Sequence, residues 1–137
     1  MASALYTSYK VDMLHPGGTS VDLSSDTIKV TLISTSDYTF SAAHVFYGPT
    51  GANVTRYLNT TDQTLGGKAV TGGAFTVSDA TFTAVSQDGS KVVNALILYK
   101  STGTPNSDPL VCYIDGFSVT PNGGNITVHW ATNVFSL

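Results

Sequence analysis

Apolar and polar residues alternate over several short stretches of the chain, beginning at residue 27. In "TIKVTLIST", Ile28, Val30 and Leu32 share one face of an extended chain, and the residues between them are polar. "KAVTGGAFTV" and "DATFTAVS" are predicted to be the next two strands, and Gly72-Gly73 within the first indicates a bulge or a tight bend. Short strands separated by Gly, Pro and Asn are typical of antiparallel β domains.

The stretch "KVVNALILYK" loses this alternation, because it is almost wholly apolar between Val92 and Tyr99. A strand that is buried on both faces has this composition, so we expect it to be central in the sheet. "LVCYIDGFSV" and "NITVHWAT" are predicted to pair as the last hairpin. The intervening "TPNGGN" would be its bend, since Asn and Gly adopt positive φ at low steric cost. The predicted fold is all-β, an antiparallel β-sandwich or partly open β-barrel, over residues 25–137.

Residues 1–24 form a segment of a different kind, predicted to be an N-terminal arm or short helix. Its apolar residues have a spacing that suits one or two helical turns: Leu5, Tyr6, Tyr9, Met13 and Leu14. Pro16-Gly17-Gly18 would end any such helix. These side chains either pack on the chain's own domain or contact another molecule. The same two alternatives apply to the C-terminal Val134, Phe135 and Leu137.

Composition limits the function classes that the chain can serve. Its 137 residues are the size of one domain, and charged residues make up 11%, against about 25% in typical domains. A net charge of -3, with Arg56 as the only arginine, argues against a nucleic-acid groove. No apolar run approaches the ~20 residues of a membrane span, and the N-terminus lacks the apolar core of a signal peptide. We therefore expect a protein that is made and folded in a reducing cytosol.

Residues that could carry chemistry do not cluster in the sequence. His15, His44 and His129 lie at no metal-ligand spacing from one another or from Cys112, the single cysteine, which is predicted to be buried and inert. We therefore predict no catalytic, cofactor or metal site. The seven tyrosines and Trp130 leave three interpretations open: packing in the sheet, stacking on a sugar, or protein contacts.

Several segments resemble, in this order, a family of small proteins encoded among the virion genes of tailed bacteriophages. These segments are "ALYTSYKVDML", "DLSSDTIKVTLIST", "YTFSAAHVFY", "GGAFTVSDATFTAV", "ALILYKSTGTPNSDPLVCYID" and "VTPNGGNITVHWATNVFSL". The resemblance covers nearly the full length and carries no catalytic residue. It implies a capsid decoration (cement) protein, made in the bacterial host cytoplasm, that binds the outer surface of the shell and stabilises it.

The implied partners are the major capsid protein and further copies of the chain, with a homotrimer favoured. The residues expected to make the assembly contacts are the apolar ones at the two ends of the chain: Leu5, Tyr6, Tyr9, Met13, Leu14, Val134, Phe135 and Leu137. Two alternatives stay open, a head–tail or tail structural protein of the virion and a carbohydrate-binding β-sandwich module.

Overall fold

The computed structural model describes residues 2–14, 21–130 and 132–136. Within them, the α-helix is α1 (Thr7–Leu14), and short 3-10 helices cover Tyr57–Asn59 and Pro105–Ser107. The strands are β1 (Ala2–Leu5), β2 (Ile28–Ile33), β3 (Gln63–Thr64), β4 (Ala69–Thr71), β5 (Ala74–Thr76), β6 (Ala80–Phe82), β7 (Ala95–Lys100), β8 (Leu110–Asp115), β9 (Ile126–Val128) and β10 (Phe135–Ser136). Antiparallel sheets with one short N-terminal helix confirm the predicted fold class, and the strands of the described residues form no closed barrel.

The largest sheet has the strand order β1-β8-β7-β2-β3, and all its pairs are antiparallel. β7 lies at its centre, as predicted, and is hydrogen-bonded to β8 on one side and β2 on the other. Alternation along β7 places Leu96 and Leu98 in one apolar cluster, and Ile97 and Tyr99 in another. The strand is therefore buried on both faces.

Different elements cover the two faces of this sheet. The larger core contains Leu98 of β7 and residues from α1 and from two small sheets, β10-β5-β4 and β6-β9. The smaller core lies on the other face and is rich in tyrosine, with Tyr38 and Tyr47 contributed by the connection between β2 and β3. The fold thus has the layered character of a β-sandwich, with one layer made largely of short strands and loops.

The predicted last hairpin was wrong. β8 pairs with β7 and β1, so both of its edges are occupied, and β9 pairs instead with β6. "TPNGGN" is therefore a corner between two sheets. It lies against Val85, which donates a backbone hydrogen bond to the carbonyl of Gly124 at 2.9 Å and accepts one from Gly123 at 2.8 Å. Val128 of β9 nevertheless shares the larger core with Cys112 of β8.

The stretch "KAVTGGAFTV" forms two strands, where one was predicted. β4 and β5 pair as a hairpin, and Gly72-Gly73 is its two-residue turn, with φ of 59° and 81°. Positive φ at both turn positions matches the right-handed twist of the paired strands, and glycine adopts it without steric cost. The predicted tight bend is thus confirmed, while its place inside a single strand is corrected.

The N-terminal segment contributes an edge strand and the helix. Residues of β1 pair with β8, with Leu5 opposite Cys112, and α1 follows directly. A short helix is what the spacing of the apolar residues predicted. The boundary between arm and domain at residue 24 stays a prediction.

Candidate assembly surface

Most of the end-segment residues expected to make assembly contacts are buried within the chain. Tyr6 belongs to the smaller core, and its hydroxyl lies 2.9 Å from that of Tyr38, which in turn lies 2.8 Å from Nδ1 of His44. Tyr9 belongs to the larger core and packs edge-to-face on Phe135, with ring centroids 6.2 Å apart. Val134 and Phe135 are buried there, Leu5 is partly buried against it, and Leu137 lies outside the described residues.

Two of the expected residues, Met13 and Leu14, are exposed on α1. Val11, which was not among the expected residues, is exposed on the same helix. Tyr9 and Asp12 face the protein, so the 3.6-residue period turns Val11 and Leu14 toward solvent. The exposed fractions are 87% for Leu14, 50% for Val11 and 37% for Met13. The exposed side of the helix therefore carries apolar side chains beside the polar Thr7 and Lys10.

Beside the helix runs an apolar groove of about 420 Å³. Met13 and Val70 both line it, although one belongs to α1 and the other to β4, and Val70 is 53% exposed. The aromatic rings of Phe75 and Phe135 are also among its lining residues. We call Val11, Met13, Leu14 and Val70 the α1 surface.

The groove beside α1 has one charged residue, Asp22, among its lining residues. Burial raises the pKa of Tyr9 to about 12, so this groove tyrosine is un-ionised at neutral pH. Asp22 also lines the groove, and hydrogen bonds from Ser24 and then Ser25 lower the pKa of its carboxyl to about 2. A partner would therefore meet apolar side chains with an ionised carboxylate beside them.

A polar cluster that the sequence did not reveal lies on the other face of the large sheet. Asp62 Oδ2 accepts hydrogen bonds from Tyr99 at 2.5 Å, from Arg56 at 3.1 Å and from the Tyr47 hydroxyl at 3.4 Å. The Arg56 guanidinium also donates to the Tyr47 hydroxyl at 3.1 and 3.2 Å, and lies over that ring. The Asp62 side chain is only 4% exposed. The cluster attaches the connection between β2 and β3 to β7, which is a structural role.

Within the described part of the chain, the histidines and the cysteine considered from the sequence do not converge on a reaction centre, and His15 lies outside that part. Cys112 is fully buried, as predicted, and burial raises the pKa of its thiol, which keeps it protonated. The His129 side chain is 76% exposed, and its Nδ1 lies 2.6 Å from Asp79 Oδ2. Among the described residues there is no group of three or more His, Cys, Asp or Glu side chains placed to hold a metal ion. None of the helices in these residues is both long and apolar enough to span a bilayer.

No protein-family model, curated protein or solved structure matches the chain.

Proposed function

We propose that this chain is a structural protein of a tailed-bacteriophage virion that decorates the outer surface of the capsid shell and stabilises it. The proposal rests on the sequence resemblance for its location and on the α1 surface for its mode of attachment. In the described residues, six large apolar side chains are more than a third exposed. Three of them belong to the last four residues of α1, and a fourth, Val70, lines the groove beside Met13.

This concentration of apolar side chains is the observation that supports binding to another protein. Single exposed apolar residues are ordinary on soluble domains, whereas a contiguous group marks an interaction site. Burying a Val or Leu side chain that was exposed contributes about 1.5–3 kcal/mol. Four such side chains give a modest contact, and many copies on one lattice add up to a strong attachment through multivalency.

In this proposal, the buried end-segment residues hold the α1 surface in position. Tyr9 and Phe135 pack on each other beneath the groove, so they fix the position of α1 and of the C-terminal strand. The capsid partner is the major capsid protein, and the decoration protein assembles around a symmetry axis of the shell, with a trimer favoured. A location at the head–tail junction or in the tail would use the same α1 surface, and attachment to isolated shells distinguishes the two locations.

The test is co-sedimentation of the protein with undecorated shells of the phage that encodes it. Removing residues 2–15 would take β1 from the sheet and Tyr6 and Tyr9 from the cores, so point substitutions are the better probe. The double variant Val11→Asp, Leu14→Asp alters only side chains that face solvent. We expect at least a tenfold loss of shell affinity, because unpaired carboxylates would be buried at the contact.

Val119→Asp provides the matched control, since Val119 is another exposed apolar side chain and lies outside the groove. It should bind shells like the wild type. Equal binding by the double variant and the wild type would refute the α1 surface as the attachment site. Failure of the wild type to bind shells at all would refute the decoration function.

A further inference from the structure

Strand β4 has an unpaired edge beside the groove that α1 lines. It is the outer strand in the order β10-β5-β4, and among the described strands β5 alone pairs with it. All three of its residues, Ala69, Val70 and Thr71, are exposed, and Val70 lines the groove. The N–H and C=O groups along such an edge can pair with a strand of another chain. The edge thus offers backbone groups next to the side chains of the α1 surface.

The register of the β4–β5 hairpin determines which backbone groups face outward. Thr71 and Ala74 flank the two-residue turn and form a hydrogen-bonded pair. The next pair along the strands, Val70 and Phe75, is therefore not hydrogen-bonded. In agreement with this, the carbonyl of Phe75 accepts a hydrogen bond from the N–H of Val134, at 2.7 Å, on the β10 side. The N–H and C=O of Val70 therefore point away from β5, and neither has a hydrogen-bond partner among the described residues.

A residue paired with Val70 from outside would extend a row of apolar side chains. Val70, Phe75 and Phe135 lie directly opposite one another across β4, β5 and β10, and all three line the groove. Directly opposite residues place their side chains on the same face of a sheet. A residue added opposite Val70 would therefore point its side chain into the groove, where Met13 of α1 lies. The groove, of about 420 Å³, has room for a large apolar side chain.

Asp22 determines which charge is favoured beside that side chain. Its Oδ1 accepts hydrogen bonds from the N–H and hydroxyl of Ser24, at 2.9 and 2.6 Å, and from the N–H of Ser25 at 3.3 Å. Its Oδ2 accepts no hydrogen bond among the described residues, and Asp22 is exposed. No cation is among the described residues that line the groove. A basic group of a partner can therefore pair with the free carboxylate oxygen.

We propose that an extended segment of the capsid partner adds to β4 as a further antiparallel strand. Its backbone pairs with the N–H and C=O of Val70, and the apolar side chain of the paired residue enters the groove. A Lys or Arg two positions away, and hence on the same face, lies beside Asp22. The identity of the partner rests on the proposed function, and the mode of binding rests on the β4 edge.

A second copy of this chain is disfavoured as the occupant of the edge. If β4 paired with β4 of another copy, the residue two positions before Val70 would be Lys68. The Lys68 ammonium donates a hydrogen bond to the carbonyl of Asp26 in its own chain, so it would have to give up this contact to reach Asp22. The short edge limits the added strand to a few residues, and the many copies on a shell multiply its modest affinity.

Hydrogen exchange of the full-length protein, free and bound to undecorated shells, tests the added strand. Mass spectrometry of fragments that contain residues 69–71 reports the Val70 amide. This amide should exchange rapidly in the free protein and at least about tenfold more slowly on shells, because it gains a partner. Protein that binds shells with an unprotected Val70 amide would overturn the added strand and leave the decoration function standing. Protein that binds no shells would overturn both.

Val70→Pro removes the outward N–H and keeps an apolar side chain. The hairpin should still form, because proline is tolerated on edge strands where the N–H faces outward, and circular dichroism checks this. Shell affinity should fall at least about tenfold, because a carbonyl of the added strand loses its donor. Val70→Ala keeps the N–H and loses apolar surface, so its affinity should fall only roughly 3- to 5-fold. A folded Val70→Pro protein that binds more tightly than Val70→Ala would overturn the added strand. If Val70→Pro does not fold, hydrogen exchange of the wild type decides.

Asp22→Asn removes the charge and keeps an oxygen that can accept from Ser24. Shell affinity should fall roughly 2- to 5-fold, as for one exposed ion pair, and should depend less on salt. Asp79→Asn makes the same change of net charge outside the groove and should bind like the wild type. Equal affinities of Asp22→Asn and the wild type would contradict the basic residue. Sedimentation of the free protein tests the other occupant: a dimer that Val70→Pro dissociates would assign the edge to a second copy and overturn the proposal.

Discussion

The Tyr99 hydroxyl donates a hydrogen bond of 2.5 Å to Asp62 Oδ2. Tyr99 belongs to the central strand β7, whereas Asp62 belongs to the long connection between β2 and β3. Arg56 of the same connection forms an ion pair with the same carboxylate oxygen, at 3.1 Å. Because Asp62 is almost fully buried, these partners of Oδ2 offset part of the cost of removing its charge from water, while Oδ1 has no hydrogen-bond partner among the described residues. The contact therefore holds an irregular segment against the sheet.

Replacing Tyr99 with Phe should destabilise the protein. The change removes a hydrogen bond to a buried carboxylate, a loss of about 1.5–3 kcal/mol in the free energy of unfolding. Urea denaturation followed by circular dichroism would measure it. Tyr113→Phe is the control, since the Tyr113 hydroxyl has no hydrogen-bond partner among the described residues, and it should change stability by less than about 0.5 kcal/mol. If both substitutions lower the free energy of unfolding equally, the Tyr99–Asp62 hydrogen bond does not contribute to stability.

The protein should lose stability in alkaline solution. Burial raises the pKa of Tyr6 and of Tyr99 above the ordinary value of 10.0, and raises that of Tyr9 to about 12. The folded state therefore holds these protons more tightly than the unfolded state does. Their contribution to stability is complete below the unfolded pKa near 10 and is lost as the pH rises above it.

Urea denaturation between pH 8 and pH 11 tests this. The free energy of unfolding should be flat at first and then fall above about pH 10, by up to ~1.4 kcal/mol per pH unit for each buried tyrosine that titrates. Tyr99→Phe should show a shallower fall than the wild type. A free energy that is constant or rises across this range would contradict the assigned burial of the tyrosines.

Gly48 should not tolerate a side chain. A Cβ atom built there would lie 2.6 Å from the backbone nitrogen of Asn106 and 2.7 Å from the carbonyl carbon of Pro105, so backbone would have to move. We expect Gly48→Ala to lower the free energy of unfolding by more than about 2 kcal/mol, as overpacking does. Gly66→Ala is the matched control, since its Cβ would have no atom within 4 Å. Thermal unfolding of both variants measures the difference in stability. A Gly48→Ala protein as stable as Gly66→Ala would contradict the close packing of Gly48 against the backbone of Pro105 and Asn106.

The parts of the fold that sequence reasoning predicted are those that periodicity determines. The alternation of Ile28, Val30 and Leu32 placed these residues on one face of β2, and the apolar run of β7 identified a doubly buried strand. Pairing partners could not be obtained in this way. The pattern of a strand gives the period of its apolar residues but does not identify the strand beside it. The sequence therefore predicted that β8 pairs with β9, whereas β8 pairs with β1 and β9 pairs with β6.

The candidate surfaces were only partly predictable for the same reason. The apolar spacing of residues 5–14 indicated a helix and drew attention to Met13 and Leu14. Val70 gave no such signal, because its role follows from the placement of the β4–β5 hairpin beside α1. A cavity between residues 58–63 and 82–86 depends on two separate segments of the chain and on backbone angles that no local pattern specifies.

The central claim is that the α1 surface attaches this protein to the outside of a phage shell. Electron cryomicroscopy of undecorated shells incubated with the protein tests it most directly. We predict additional density on the outer surface, at a symmetry axis, with α1 and the β4–β5 hairpin in contact with the capsid subunits. Shells without additional density, or density in which Val11 and Leu14 face solvent, would contradict the account.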